Sequence, residues 1–163
     1  MRSLGPAELF VAAAVGEPGA RTFFIHVVAN GEPFWVHAEK EQVAALGAQS
    51  LQLLAESKVT ASRQVVEEIV SRIELPEPGE PSFRLGGLTL QASPERELVT
   101  VAIVAAEEEA EGIEFDIAPE QLQAMALKAL HVVGQGRPLC ELCRLPKDPD
   151  GHRCPSTNGH HAD

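Results

Sequence analysis

The chain has 163 residues, 44% of them hydrophobic and 23% charged, which suits one folded domain with a small appendage and excludes wholesale disorder. Its 24 acidic side chains against 13 basic ones leave a net charge of −11; that argues against nucleic acid and anionic membrane as partners and favours a basic protein. Aromatic residues are 4%, with no Tyr, so a base-stacking platform is poorly supplied, and no apolar run reaches the about 18 residues of a membrane span.

The first strand is expected over residues 8–16. Its run Leu9-Phe10-Val11-Ala12-Ala13-Ala14-Val15 imitates a secretory signal behind Arg2, but Glu8 sits against it and a core strand is the better reading. The turn Glu17-Pro18-Gly19 leads into a β-branched run over 21–29, and Asn30-Gly31 signals a type I′ hairpin. Pairing across that turn puts Phe23, Ile25, Val27, Phe34, Val36 and Ala38 on one apolar core face. The opposite face carries Phe24, His26, Val28, Trp35 and His37 and reads as a mixed sheet face, with a ligand pocket as the alternative.

A helix is predicted over 40–56 with Val43, Leu46, Leu51 and Leu54 as its buried stripe, and another over 62–73 burying Val65, Val66, Ile69, Val70 and Ile73. Glu67-Glu68 fall on the solvated side of the second helix. The acidic, Pro-rich stretch 74–82 is a connection. Strands follow over 83–92 and 98–106 around the turn Ser93-Pro94-Glu95-Arg96, with Gly86-Gly87 marking a bulge or kink. Glu107-Glu108-Glu109 and Glu111 read as a solvated loop, a weak divalent-cation site being the alternative. A short strand from Ile113 then runs into a helix that starts at Pro119, buries Leu122, Met125, Ala126, Ala129, Leu130 and Val133, and stops at Gly134 and Gly136. His131, late in that helix, suits the helix dipole.

Two segments match at a shift of 79: Glu41-Gln42 meets Glu120-Gln121, Val36 meets Phe115 and Leu46 meets Met125. With the upstream strands aligned, each half reads strand, strand, strand, helix; the helix over 62–73 has no counterpart in the second half. The expected fold is α+β: two β-β-β-α repeats forming a mainly antiparallel β core flanked by helices, with a C-terminal zinc knuckle. Residues 1–136 make the duplicated domain (repeat one 8–73, linker 74–82, repeat two 83–136), and 137–163 make a metal-binding tail.

Cys140 and Cys143 form a C-x2-C pair, and His152 with Cys154 forms H-x-C eight residues later, across Pro146, Pro149 and Gly151. Three thiolates and one imidazole suit tetrahedral Zn2+, and a stretch too short for a core of its own would be ordered by the metal. A redox dithiol at Cys140/Cys143 and unliganded thiols are the competing readings, and His160 or His161 competes with His152 as fourth ligand. A full Cys3His set leaves no vacancy for catalysis, so the zinc is expected to be structural. The three Cys, all in this tail, suit a disulfide framework badly and point to the cytoplasm.

Residues 15–24, 39–46, 138–143 and 148–159 together resemble a bacterial family of conserved hypothetical proteins that bears a domain-of-unknown-function name and is labelled a repeat protein. The resemblance spans nearly the whole chain and its Cys/His tail is the most specific part. It implies a soluble cytoplasmic bacterial protein and no activity. The family tail has Gly after the second Cys of C-x2-C, where this chain has Arg144.

Phosphate-loop, dinucleotide, zincin and nucleophile-elbow motifs are all missing from the sequence. The leading functional expectation is a non-enzymatic interaction or adaptor module. Its partner would be sought in the cleft between repeats or on the face near His26, Trp35 and His37. An enzyme of undefined reaction class, using that cleft or an open zinc position, is the alternative.

Overall fold

The computed structural model describes residues 1–17 and 19–134, together with the backbone alone of His152–Arg153 and His161–Ala162. Its order is β1 (Arg2–Val15), β2 (Thr22–Ala29), β3 (Glu32–Ala38), α1 (Lys40–Glu56), α2 (Arg63–Arg72), β4 (Phe83–Ser93), β5 (Leu98–Ala105), β6 (Ile113–Ile117) and α3 (Pro119–Val133). Farther along, β7 (His152–Arg153) pairs antiparallel with β8 (His161–Ala162). The fold is therefore mixed α+β with a mostly antiparallel sheet, as expected.

The first hairpin follows its turn chemistry. Asn30 and Gly31 have φ of 53° and 72°, the paired positive values a type I′ turn requires. The register that follows is Phe23↔Ala38, Ile25↔Val36 and Val27↔Phe34, and all six residues are buried. β1 adds Ala14, Ala12 and Phe10 to the same rungs. Strands β4, β5 and β6 form a second antiparallel meander, with Leu90↔Val101↔Phe115 and Leu88↔Ile103↔Ile113 on its core side.

Two parallel seams join the meanders: Val36↔Phe83 between β3 and β4, and Arg2↔Ile113 between β1 and β6. They close the six strands into a barrel. This is where β1 departs from expectation. It begins at Arg2, six residues before the expected start at residue 8, because its first residues pair with a strand more than a hundred positions away. Gly5 and Pro6 are absorbed by an irregularity between Ser3 and Pro6 and a bulge between Ala7 and Leu9. On β4 the expected bulge falls at Gly86, where the register shifts between Leu85 and Gly87 and an added Cβ would lie 2.8 Å from the Ala105 carbonyl oxygen.

The interior is filled by side chains. Phe10 and Phe115 meet edge to face with ring centroids 5.1 Å apart, and the apolar faces of α1 and α3 join the same cluster through Val43, Leu46, Leu122 and Met125. The helix starts are set locally. The Glu39 N–H donates to Gln42 Oε1 at 2.8 Å ahead of α1, and Pro119 occupies the first turn of α3. Each helix then ties itself to the other meander: Gln42 Nε2 donates to the Leu85 carbonyl on β4 (3.1 Å) and Gln121 Nε2 to the Glu8 carbonyl on β1 (3.0 Å).

Three burial patterns differ from expectation. On α1 the buried residues are Val43, Leu46, Gly47 and Ser50, while Leu51 and Leu54 are half-buried. The stripe is displaced because α3 crosses close at Gly47, where a Cβ would stand 3.2 Å from Leu130 Cγ and 3.3 Å from the Ala126 carbonyl oxygen. On α3, Ala124 and Val132 are buried as well, since helices cover it on a second side, and Leu130 and Val133 are half-buried. On α2 only Val66 is buried; Val65 and Val70 are 40% and 43% exposed. That helix packs chiefly on α3, outside the barrel, and its main contact covers a single side.

Candidate functional site

The incompletely buried α2 borders a surface trough among the described residues. Ser62 caps the helix, its Oγ accepting from the Val65 N–H at 3.5 Å, and its own N–H donates to Glu120 Oε1 at 3.2 Å, which fixes α2 against the start of α3. Between α2, β1 and the first turn of α3 lies a trough of about 500 Å³. Leu9, Val65, Ile69 and Ile73 give it an apolar wall, the last three spaced one turn apart along α2. Glu8, Glu68, Glu74 and Glu120 line it with carboxylates, and Arg72 is the single base among the described lining residues. Two of these acids are held in place: Glu8 Oε1 accepts from the Gly31 N–H at 2.9 Å, and Glu120 accepts from Ser62.

The sequence marks Glu8 and Leu9 as strand residues and Glu120 as part of the repeat, and assigns none of them to a site. The available signal was α2 itself, a helix with four apolar residues, followed by Ile73, and no equivalent in the second half of the chain.

The face near His26, Trp35 and His37 is largely packed, with His26 2% and Trp35 6% exposed, while His37 is half-buried and borders a pocket of about 310 Å³. His26 and Trp35 stack with centroids 3.8 Å apart and an interplanar angle of 13°; Phe24 meets Trp35 edge-on at 5.8 Å and lies 5.7 Å from His37. The connection after α2 folds over this cluster. Ser82 brackets Trp35, donating its N–H to the Trp35 carbonyl (2.8 Å) and accepting the Trp35 N–H at Oγ (3.3 Å), and Gly79 lies against the indole. His26 Nδ1 donates to the Phe34 carbonyl at 3.0 Å. Burial of the ring pushes its pKa below the ordinary imidazole value, opposed by that hydrogen bond.

The acidic loop before β6 is partly committed to structure. Glu107 accepts from Arg84 Nε at 3.0 Å and from the Arg84 N–H at 3.1 Å, and these bonds hold its carboxyl below the usual range. Among the described residues no group of three or more His, Cys, Asp or Glu is placed so that it could hold a metal ion. Glu67, Glu68 and His131 are exposed.

Cys140, Cys143 and Cys154 lie outside the described residues, as does His160; of His152 and His161 only the backbone is described. The β7–β8 pairing places His152 opposite Ala162 and Arg153 opposite His161, so the two histidines occupy adjacent rungs. No helix of the described residues is long and apolar enough to cross a membrane.

One family model, described as a protein of unknown function (DUF3090), matches residues 3–154. No curated protein and no solved structure matches the chain.

Proposed function

We propose that this chain, which belongs to the DUF3090 family, is a zinc-binding interaction module: a duplicated barrel that presents an apolar surface to a partner protein, with a metal-stapled tail behind it. The observation that carries this reading is α2, which leaves Val65 and Val70 exposed and Ile69 half-buried on an acidic body. An apolar helix face kept at the surface costs solubility unless something covers it.

The duplication is supported by the repeated order of three antiparallel strands and a helix, and by Gln42 and Gln121, which are 79 positions apart and reach across to equivalent strands near a bulge. The zinc reading is supported by donor chemistry. Cys140, Cys143 and Cys154 supply three thiolates and His152 a neutral imidazole, the family match runs through all four positions, and the set fits a closed structural Zn2+ site.

Three measurements test the proposal. Elemental analysis of protein purified without chelator should find about one zinc per chain. Cobalt-substituted His152→Ala should lose its tetrahedral thiolate spectrum, while His160→Ala and His161→Ala keep it. Absence of metal, or an unchanged His152→Ala spectrum, overturns the ligand assignment. For the interaction, affinity capture from an extract of the source cell should yield a stoichiometric protein that Val65→Glu fails to retain; identical captures by both forms overturn it.

A further inference from the structure

We infer that the trough beside α2 binds an amphipathic, basic helical segment of a partner protein, about two turns long. This rests on the interaction reading above and specifies where the partner docks and by what chemistry.

The first argument is shape. Val65, Ile69 and Ile73 recur every fourth residue along one side of α2, and Leu9 of β1 faces them across the trough. From Val65 to Ile73 the ridge runs about 12 Å at 1.5 Å per residue, which is the length of two helical turns. A row at i, i+4 and i+8 packs naturally against the similar row of another helix, which places apolar side chains at i, i+3 or i+4, and i+7 of the occupant.

The second argument is charge. Glu8, Glu68, Glu74 and Glu120 against Arg72 leave the trough with a net charge of −3 from four carboxylates and one guanidinium. An acidic or neutral segment would leave that rim unmatched, whereas Lys and Arg flanking the apolar row would meet it and quicken association.

The third argument is an internal comparison. At the other glutamine junction, a pocket beside Gln42, Leu46, Leu85 and Leu88 measures about 140 Å³, against about 500 Å³ beside Gln121, and it carries no ionisable lining residue. The two places share the glutamine and a bulged first strand; they differ in α2. The helix without a counterpart thus deepens one junction and supplies part of its charge.

The test is selection from a displayed library of random dodecapeptides, panned on the full-length zinc-loaded protein. The expected winners carry Leu, Ile or Phe at helical spacing with Lys or Arg beside them. They should bind at micromolar Kd, weaken at least tenfold on Val65→Glu and on Glu68→Lys, and weaken again as salt rises from 0.1 to about 0.5 M. Both substituted side chains are exposed, and an unchanged melting temperature shows the fold is intact. Gln49→Lys at the other junction serves as the control and should leave binding unchanged.

A photo-crosslinking residue at position 65 should label the peptide. Acidic winners, winners indifferent to Val65→Glu, or no enrichment overturn the inference. So does a crosslink from position 65 to residues beyond 134 or to a second copy of the chain. If affinity capture still yields a partner lost on Val65→Glu while the selected peptides are acidic, only the chemistry assigned here fails. If neither experiment yields a ligand, the interaction reading falls with it.

Discussion

His26 shows how much a single residue depends on what covers it. In sequence it is one polar position on a mixed strand face; in the fold it is 2% exposed, stacked on Trp35 and bonded to the Phe34 carbonyl. Its folded pKa is pushed down, chiefly by desolvation, while the unfolded imidazole titrates near its ordinary value of about 6.5. Below that pH the unfolded chain takes up a proton that the folded one resists. Stability is therefore complete above about pH 6.5 and declines as pH falls below it. The melting temperature should drop between pH 7 and 5.5, and His26→Phe, which keeps a ring on Trp35, should flatten that slope. An unchanged slope in the variant would show that the imidazole binds its proton equally well in the folded and unfolded chain. Glu32 and Glu107, whose carboxyls are held low by Arg2 and Arg84, titrate below this window.

At the scale of elements, the α1–α3 contact is set by small residues. Gly47 lets the helices approach, and Ser50 sits fully buried beside it with no hydrogen-bond partner for its Oγ among the described residues. Gly47→Val would push a branched side chain into Leu130, Ala129 and the Ala126 carbonyl, and should cost about 1–3 kcal/mol in urea unfolding. Ser50→Ala removes a buried hydroxyl that makes no bond, and should be neutral or stabilising by up to about 1 kcal/mol. A loss of more than about 1 kcal/mol on Ser50→Ala would mean that the hydroxyl is paired. The boundaries of α3 were legible because their signals are local: Pro119 acts within the first turn and Gly134 at the stop. The buried stripe of α1 was not, because Leu51 and Leu54 obey the helical period as well as Gly47 and Ser50 do. Only the position of α3 selects between them.

Across the whole molecule, closure joins two meanders through short parallel seams, and the two glutamines reinforce those joints. Gln42 uses both ends of its amide, accepting from the Glu39 N–H and donating to the Leu85 carbonyl in a partly buried setting; Gln121 donates to the Glu8 carbonyl in an exposed one. Gln42→Leu should therefore cost about 1–2 kcal/mol and Gln121→Leu about 0.5–1 kcal/mol, read from denaturant midpoints at constant slope. The reverse order would indicate that the joint beside α2 is the more buried of the two in solution. At this scale the trough also finds its origin, since it needs β1, α2 and the start of α3 to meet.

The amino-acid sequence by itself determined the strands of both meanders, the helix starts and the register of the first hairpin. Each of these follows from period-two or period-3.6 patterning and from turn and cap residues acting over a few positions: Asn30-Gly31, Gly86 and Pro119 are sufficient markers. It also marked the Cys and His residues of the tail as candidate zinc ligands. Tertiary structure alone decided that the sheet closes, that β1 extends back to Arg2, that the His26–Trp35 face is sealed and that α2 stays largely uncovered. The reason is distance along the chain. Arg2 pairs with Ile113 and Glu8 receives Gln121, and no local propensity encodes which of two apolar faces a partner a hundred residues away will cover.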